Sequence, residues 1–300
     1  MRDTYVEVDS GRYAAIDFGG SGPDILLLHD LMSTAEIWRP FAGALSEFSH
    51  AVALDLCGHG RTLASPETLR TLVDDLAPVV RTLGLRDPLV VVGQEEHLAL
   101  FEEPLREIGT RAALVAFAYN SYRGQRAREE RDESLGAEAL AAWTERSRLF
   151  ISGEAGTQHE FVEERVAAAS ADWVNHGVDI DQLRRYFERQ VRPTEQGWER
   201  VPRRPIVEET LRHVDEGALG LDALDVLDIP VWAMVAWEVG DVAELDRFET
   251  WAMEQPGRRI VPVSDAVAVD AVDPDLFASI VRDLLALPEV SAPRRDAVRS

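Results

Sequence analysis

The stretch Pro88-Leu-Val-Val-Val-Gly-Gln-Glu-Glu-His-Leu-Ala99 decides the fold. Its leucine and valines, bounded by Pro88, read as a strand buried on both faces of a parallel sheet. From Glu95 to Ile108 the apolar residues Leu98, Phe101, Leu105 and Ile108 recur at helical spacing, so a helix follows at once. A strand that passes directly into a helix through Gly93-Gln94-Glu95-Glu96-His97 has the G-x-Nu-x-G layout of a nucleophile elbow. Such a turn holds its central side chain at the carboxyl edge of the sheet, facing the space above. That central residue is Glu95.

Upstream, Thr4 to Val8 and Arg12 to Phe18 alternate around Ser10-Gly11 and predict a hairpin. Asp24 to Leu28 and Ala51 to Leu56 are short apolar strands, and Glu36 to Phe48 between them has the spacing of an amphipathic helix. Ser65 and Pro66 have the character of an N-cap and first helical residue, which predicts a helix closing near Gly84. Downstream, Ala112 to Ala118 is a strand, after which Arg123 to about Asp225 is charged and helix-rich without a convincing strand. The alternation resumes with a strand at Pro230 to Ala236, a helix at Glu244 to Glu254, a strand at Arg259 to Val263 and a closing helix capped by Asp273-Pro274. Strands alternating with helices predict an α/β fold with a mostly parallel central sheet flanked by helices. The expected domains are a core first part at 1–122, a helical cap insertion at 123–225, a core second part at 226–288 and a tail at 289–300.

The 300 residues carry 54 Asp and Glu against 31 basic residues, all of them Arg, for a net charge of −23. Such a balance repels phosphate backbones and anionic bilayers, so neither nucleic acid nor membrane is an expected partner. No apolar run approaches the roughly 20 residues needed to span a bilayer. Met1 to Arg12 lacks the apolar core of a signal peptide, and the cytoplasm is the simplest address. The single cysteine, Cys57, excludes an intrachain disulfide and a cysteine-based metal cage. The seven histidines are scattered without ligand spacing, so no metal or other cofactor is expected.

Four segments together give the chain its likeness to a known family. His29-Asp30-Leu31 followed by Ile37-Trp38-Arg39-Pro40 looks like an oxyanion-loop segment H-G-x…W-x-P. Asp55-Leu56-Cys57-Gly58-His59-Gly60-Arg61-Thr62 is similar to D-L-x-G-H-G-x-S, Gly93 to His97 stands where the elbow belongs, and Ile229-Pro230-Val231 begins the strand that would deliver the acid. In this order they resemble the α/β-hydrolase superfamily, in the branch with a helical cap. The resemblance implies a catalytic triad, and the triad is degenerate. Glu95 replaces the nucleophile, His97 replaces the second elbow glycine, and Asp30 replaces the oxyanion-loop glycine. The histidine position, seven residues before Pro274, is Val267, and Ser264 to Asp270 contains no histidine. The acid position retains a carboxylate, Glu238 or Asp241.

Loss of the nucleophile or the histidine alone costs a serine hydrolase on the order of 10⁶ in turnover, roughly 8 kcal/mol. An acyl-serine route is therefore closed. The candidate catalytic group is Glu95, an acid or base whose proton would be held by burial and by the like charge of Glu96, with Glu238 or Asp241 as the second carboxylate. A small, largely apolar organic ligand is expected under the cap, with His29, Asp30, Leu31, Glu96, Asn120 and Val267 around it. Two classes of function fit: a non-hydrolytic acid–base enzyme of cyclase, lyase or isomerase type, or a non-catalytic binding or receptor-like pseudoenzyme. A hydrolase with Glu at the elbow is the third. His59 is read as a structural residue, His97 as a core histidine or a partner of Glu95 or Glu238, and Cys57 as inert. Trp143, Phe150, Trp173, Tyr186, Phe187 and Trp198 are expected to fill a small core in the cap, some of them lining the pocket.

Overall fold

The computed structural model describes residues 1–93, 96–116, 148, 150–171, 178–216, 224–225, 227–236, 242–263 and 272–291. Twelve strands lie among them: β1 Arg2–Val8, β2 Gly11–Gly19, β3 Asp24–Leu28, β4 His50–Leu54, β5 Leu63–Ala64, β6 Leu89–Val92, β7 Ala112–Val115, β8 Ser152–Glu154, β9 Val191–Thr194, β10 Gly197–Arg200, β11 Val231–Ala236 and β12 Arg259–Val263. The main sheet runs β1-β2-β4-β3-β6-β7-β11-β12, with β5 on the side of β2. The pairs β1/β2 and β2/β4 are antiparallel, and every pair from β4 to β12 is parallel.

Burial on both faces follows from the composition of these strands. In β3 and β6 alternate side chains enter opposite cores: Leu26, Leu28, Val90 and Val92 pack in one, and Ile25, Leu27, Leu89 and Val91 in the other. The second core is closed by Trp38, Phe41 and Phe277, with the two Phe rings 4.3 Å apart.

Local chemistry adjusts four of the predicted elements. The segment expected as one helix from Glu36 is a 3-10 turn, Ala35–Phe41, capped by the Thr34 hydroxyl, and then a short α-helix, Ala42–Ser46. Pro40 has no N–H to donate, which breaks the α ladder there. The helix expected from Pro66 begins at Leu69, because Thr68 provides the cap while Leu63–Ala64 pairs with β2. The elbow helix is divided into Glu96–Leu100 and Glu102–Glu107, as Pro104 allows, yet Leu98, Phe101, Leu105 and Ile108 are all buried as the spacing demands. The insertion does contain strands: β8-β10-β9 form a small antiparallel sheet of their own. Val191 to Thr194 and Gly197 to Arg200 are only four residues each, one of them proline, which hides them in a charged segment.

Phe161, Val162, Val166, Leu183, Phe187 and Trp198 make the core of this insertion, so Phe187 and Trp198 stand where expected; Trp143 and Trp173 lie outside the described residues. Among the described residues no helix is long and apolar enough to cross a membrane. Truncating Phe277 to Ala should cost about 3–5 kcal/mol in a denaturant melt; a loss well under 1 kcal/mol would mean that the ring does not close the second core.

Candidate functional site

The carboxyl ends of β3 and β6 meet where the strand order reverses: the chain leaves β3 for β4 on one side and returns as β6 on the other. Ligands of open α/β sheets bind in the crevice at such a switch point. Register places Leu28 opposite Val92, and Gly93 N–H donates to the Leu28 carbonyl at 2.9 Å. Gly93 therefore lies directly against the loop that follows β3. A Cβ on it would fall 2.9 Å from Asp30 N and 3.4 Å from the His29 carbonyl carbon. The first elbow position is glycine because backbone occupies the space a side chain would need.

The loop after β3 is held by its own polar groups and by the loop after β4. His29 is fully buried. Its Nε2 accepts the Leu56 N–H at 3.1 Å, which leaves Nδ1 as the donor to the Asp30 carbonyl at 2.7 Å. Both nitrogens are thus committed inside the protein, and burial beside His59 holds the ring neutral, well below the usual histidine range. The Asp30 carboxylate turns back on its own loop and accepts the Met32 N–H at 2.9 Å. Leu31 is buried in the first core and its carbonyl faces His59 Nε2. His59 Nδ1 is 2.8 Å from the Cys57 carbonyl, so a neutral ring can donate to only one of its two carbonyl neighbours. Burial lowers its pKa, and burial pushes the Cys57 thiol up to about 11, an unreactive thiol.

His97 completes a set of three buried histidines. It packs on Phe101, with ring centroids 5.6 Å apart, and its Nδ1 has no hydrogen-bond partner among the described residues. Burial, with His59 nearby, draws its pKa down to about 3. Glu95, Asn120, Glu238, Asp241 and Val267 lie outside the described residues, as does the side chain of Glu96, whose backbone opens the helix Glu96–Leu100. What the described residues establish is the frame: a strand ending at Val92, glycine at Gly93, and a helix from Glu96.

The overall fold is shared with several solved structures over nearly the whole of each chain. The crystal structure of an E-2-(acetamidomethylene)succinate hydrolase superposes with a TM-score of 0.66 at 18% identity, covering 95% of this chain and 99% of that one. The chain has the α/β-hydrolase fold. A thioesterase domain from the curacin biosynthetic pathway gives a TM-score of 0.63 at 15% identity, covering 94% and 99% of the two chains. In sequence, the (E)-2-((N-methylformamido)methylene)succinate hydrolase of Acinetobacter baylyi is 30% identical over 82 residues, which span 27% of this chain and 31% of the relative. No family model matches the chain. Among the described residues, no group of three or more His, Cys, Asp or Glu could hold a metal ion.

The main interaction that the sequence did not reveal joins the insertion to the α/β-hydrolase core. Asp55, fully buried after β4, accepts the Ala35 N–H at 2.9 Å and the Arg61 N–H at 2.8 Å. Arg189, at the end of the helix Ile180–Arg189 and 1% exposed, donates Nε to Asp55 at 2.8 Å and Nη1 to Asp3 at 2.8 Å, with Glu36 3.7 Å away. Burial raises the Asp55 carboxyl, while Arg189 and the two backbone donors oppose that shift. Asp55 was visible in the D-L-x-G-H-G match, but nothing in the sequence marks Arg189 among 31 arginines.

Two measurements follow from this geometry. Gly93→Ala should destabilise the protein by about 1–3 kcal/mol, since the added methyl meets backbone; an unchanged melt would separate the elbow from the β3 loop. The histidines make stability pH-dependent. An unfolded chain binds protons on all three below about pH 6.5, while the folded one keeps them off, so stability is full above that pH and falls as pH drops toward the folded value of about 3 for His97. His97→Phe should therefore flatten the loss of stability between about pH 6.5 and 4; an unchanged slope would show that His97 titrates freely in the fold.

Proposed function

We propose that the protein binds a small, largely apolar organic molecule over the carboxyl edge of the sheet, beneath the insertion acting as a cap, and converts it by proton transfer through Glu95. The observation that carries this reading is the frame at the switch point, a strand ending at Val92, Gly93 against the β3 loop and a helix from Glu96, with Gln94 and then Glu95 between them in the sequence. A group at that tip is presented to the crevice, and a carboxyl partly withdrawn from water beside Glu96 holds its proton toward neutral pH. Glu238 or Asp241 supplies the second carboxylate, in a non-hydrolytic reaction of cyclase, lyase or isomerase type. The absence of histidine from Ser264 to Asp270 argues against a covalent ester on Glu95, since nothing at the usual place activates water to release it.

The names of the relatives favour a second reading, a hydrolase in which Glu95 itself activates water. The two succinate hydrolases act, by their names, on dicarboxylates. Asp30, Glu95 and Glu96 would repel such a dianion, so a neutral ester or amide fits this chain better. A receptor-like binder, with aliphatic Val267 at the histidine position, is the non-catalytic counterpart.

Native mass spectrometry of the purified chain identifies the co-purifying ligand, and Glu95→Gln then tests the role. Conversion should cease while affinity stays within about tenfold, or 1.4 kcal/mol. Full activity in Glu95→Gln would remove the carboxyl from the mechanism, and a bound ligand that neither form converts would favour the receptor reading. A fluorophosphonate probe should label no serine; stoichiometric labelling would reinstate an acyl-serine route.

A further inference from the structure

The loop His29–Thr34 has one wall in the core and another in the insertion. On the core side its Leu31 carbonyl faces His59, and the Ala35 N–H that ends it donates to Asp55. On the insertion side its Met32 carbonyl accepts Gln190 Nε2 at 3.2 Å and the Tyr186 hydroxyl at 3.3 Å. Tyr186, Arg189 and Gln190 lie together at one end of the helix Ile180–Arg189, and Arg189 closes the circle by donating to the same Asp55 that receives Ala35. Gln190 is itself oriented by Arg200, which donates to its Oε1 at 2.8 Å and 3.0 Å.

We propose that Arg189 is a positioning residue: it latches the end of the helix Ile180–Arg189 onto Asp55, so that the seating of the insertion sets the shape of the loop His29–Thr34 against Gly93. Two further hydrogen bonds from the insertion reach that loop at the Met32 carbonyl, at 3.2 and 3.3 Å. Arg189, by contrast, spans Asp55 and Asp3 through separate nitrogens of one rigid guanidinium, and no other side chain bonds Asp55 from the insertion among the described residues. A lysine at 189 keeps the charge but offers a single nitrogen, which cannot meet both carboxylates in the arginine geometry. The other described ion pairs between the insertion and the core, Arg192 and Arg203 to Glu67 and Asp225 to Arg258, involve no residue of this loop. The proposal concerns how the loop is held and stands whichever chemistry Glu95 performs.

Hydrogen exchange of the full chain, read by mass spectrometry, tests it with Arg189→Met, Arg189→Lys and, as a control, Arg203→Met. In Arg189→Met, peptides covering 30–36 and 186–190 should exchange about tenfold faster or more, while those covering 89–92 stay within about twofold of wild type. Arg189→Lys, which also serves should Arg189→Met fail to fold, should give a smaller rise in the same two segments, and Arg203→Met should leave 30–36 unchanged. Unchanged exchange over 30–36 in the Arg189 variants would overturn the latch. So would a rise shared equally by 89–92, because Arg189 would then support only global stability.

Discussion

The rest of the structure depends on the satisfaction of one buried carboxylate, that of Asp55. It sits at the carboxyl end of β4, beyond the reach of water, and its lone pairs are taken by two backbone N–H groups and a guanidinium. Those backbone donors belong to the segments that follow β3 and β4, so one side chain sets the start of the 3-10 turn at Ala35 and the bend at Arg61. Gly60 shows how closely the chain wraps it: a Cβ there would fall 2.2 Å from the carboxylate carbon. Removing one partner of a buried pair of this kind typically costs about 3–5 kcal/mol, because the other charge is left without compensation. The Asp55–Arg189 pair contributes geometry above all. It joins segments 134 residues apart in the chain.

The same neighbourhood explains how a polar loop is accommodated beside an apolar sheet. His29, His59 and His97 are buried and neutral; the first two meet backbone carbonyl and N–H groups, while His97 packs on Phe101. His29 ties two loops together with one donor and one acceptor, which only a neutral imidazole offers. The His29 and His59 rings lie 4.9 Å apart, so a proton on either would be repelled by the other as well as disfavoured by burial. Among the described residues, these three buried histidines belong to the scaffold.

The sheet was legible because its strands are short apolar runs with glycine and proline at their ends. Pro88 to Gly93 and Asp24 to Leu28 cannot be stable anywhere but between two layers of helices, and the order of such runs along the chain dictates a parallel sheet. The four buried positions of the elbow helices followed from spacing alone, although Pro104 divided the helix at a point that spacing does not register. The strands of the insertion were hidden by their brevity, since four residues with a proline and several charges give no alternation to read.

By itself, the sequence determined a valine run, a glycine, a glutamate two residues on and a helix at once after it, and a stretch from Ser264 to Asp270 without histidine. These are local facts, set by period, by glycine's lack of a side chain and by residue identity. Tertiary structure decided that Gly93 faces Asp30, that His29 spends both its nitrogens inside the fold, and that Arg189 rather than any neighbouring arginine meets Asp55. No spacing rule predicts such contacts. They depend on which helix end reaches which loop once the sheet has formed, and that is set by packing across the whole molecule.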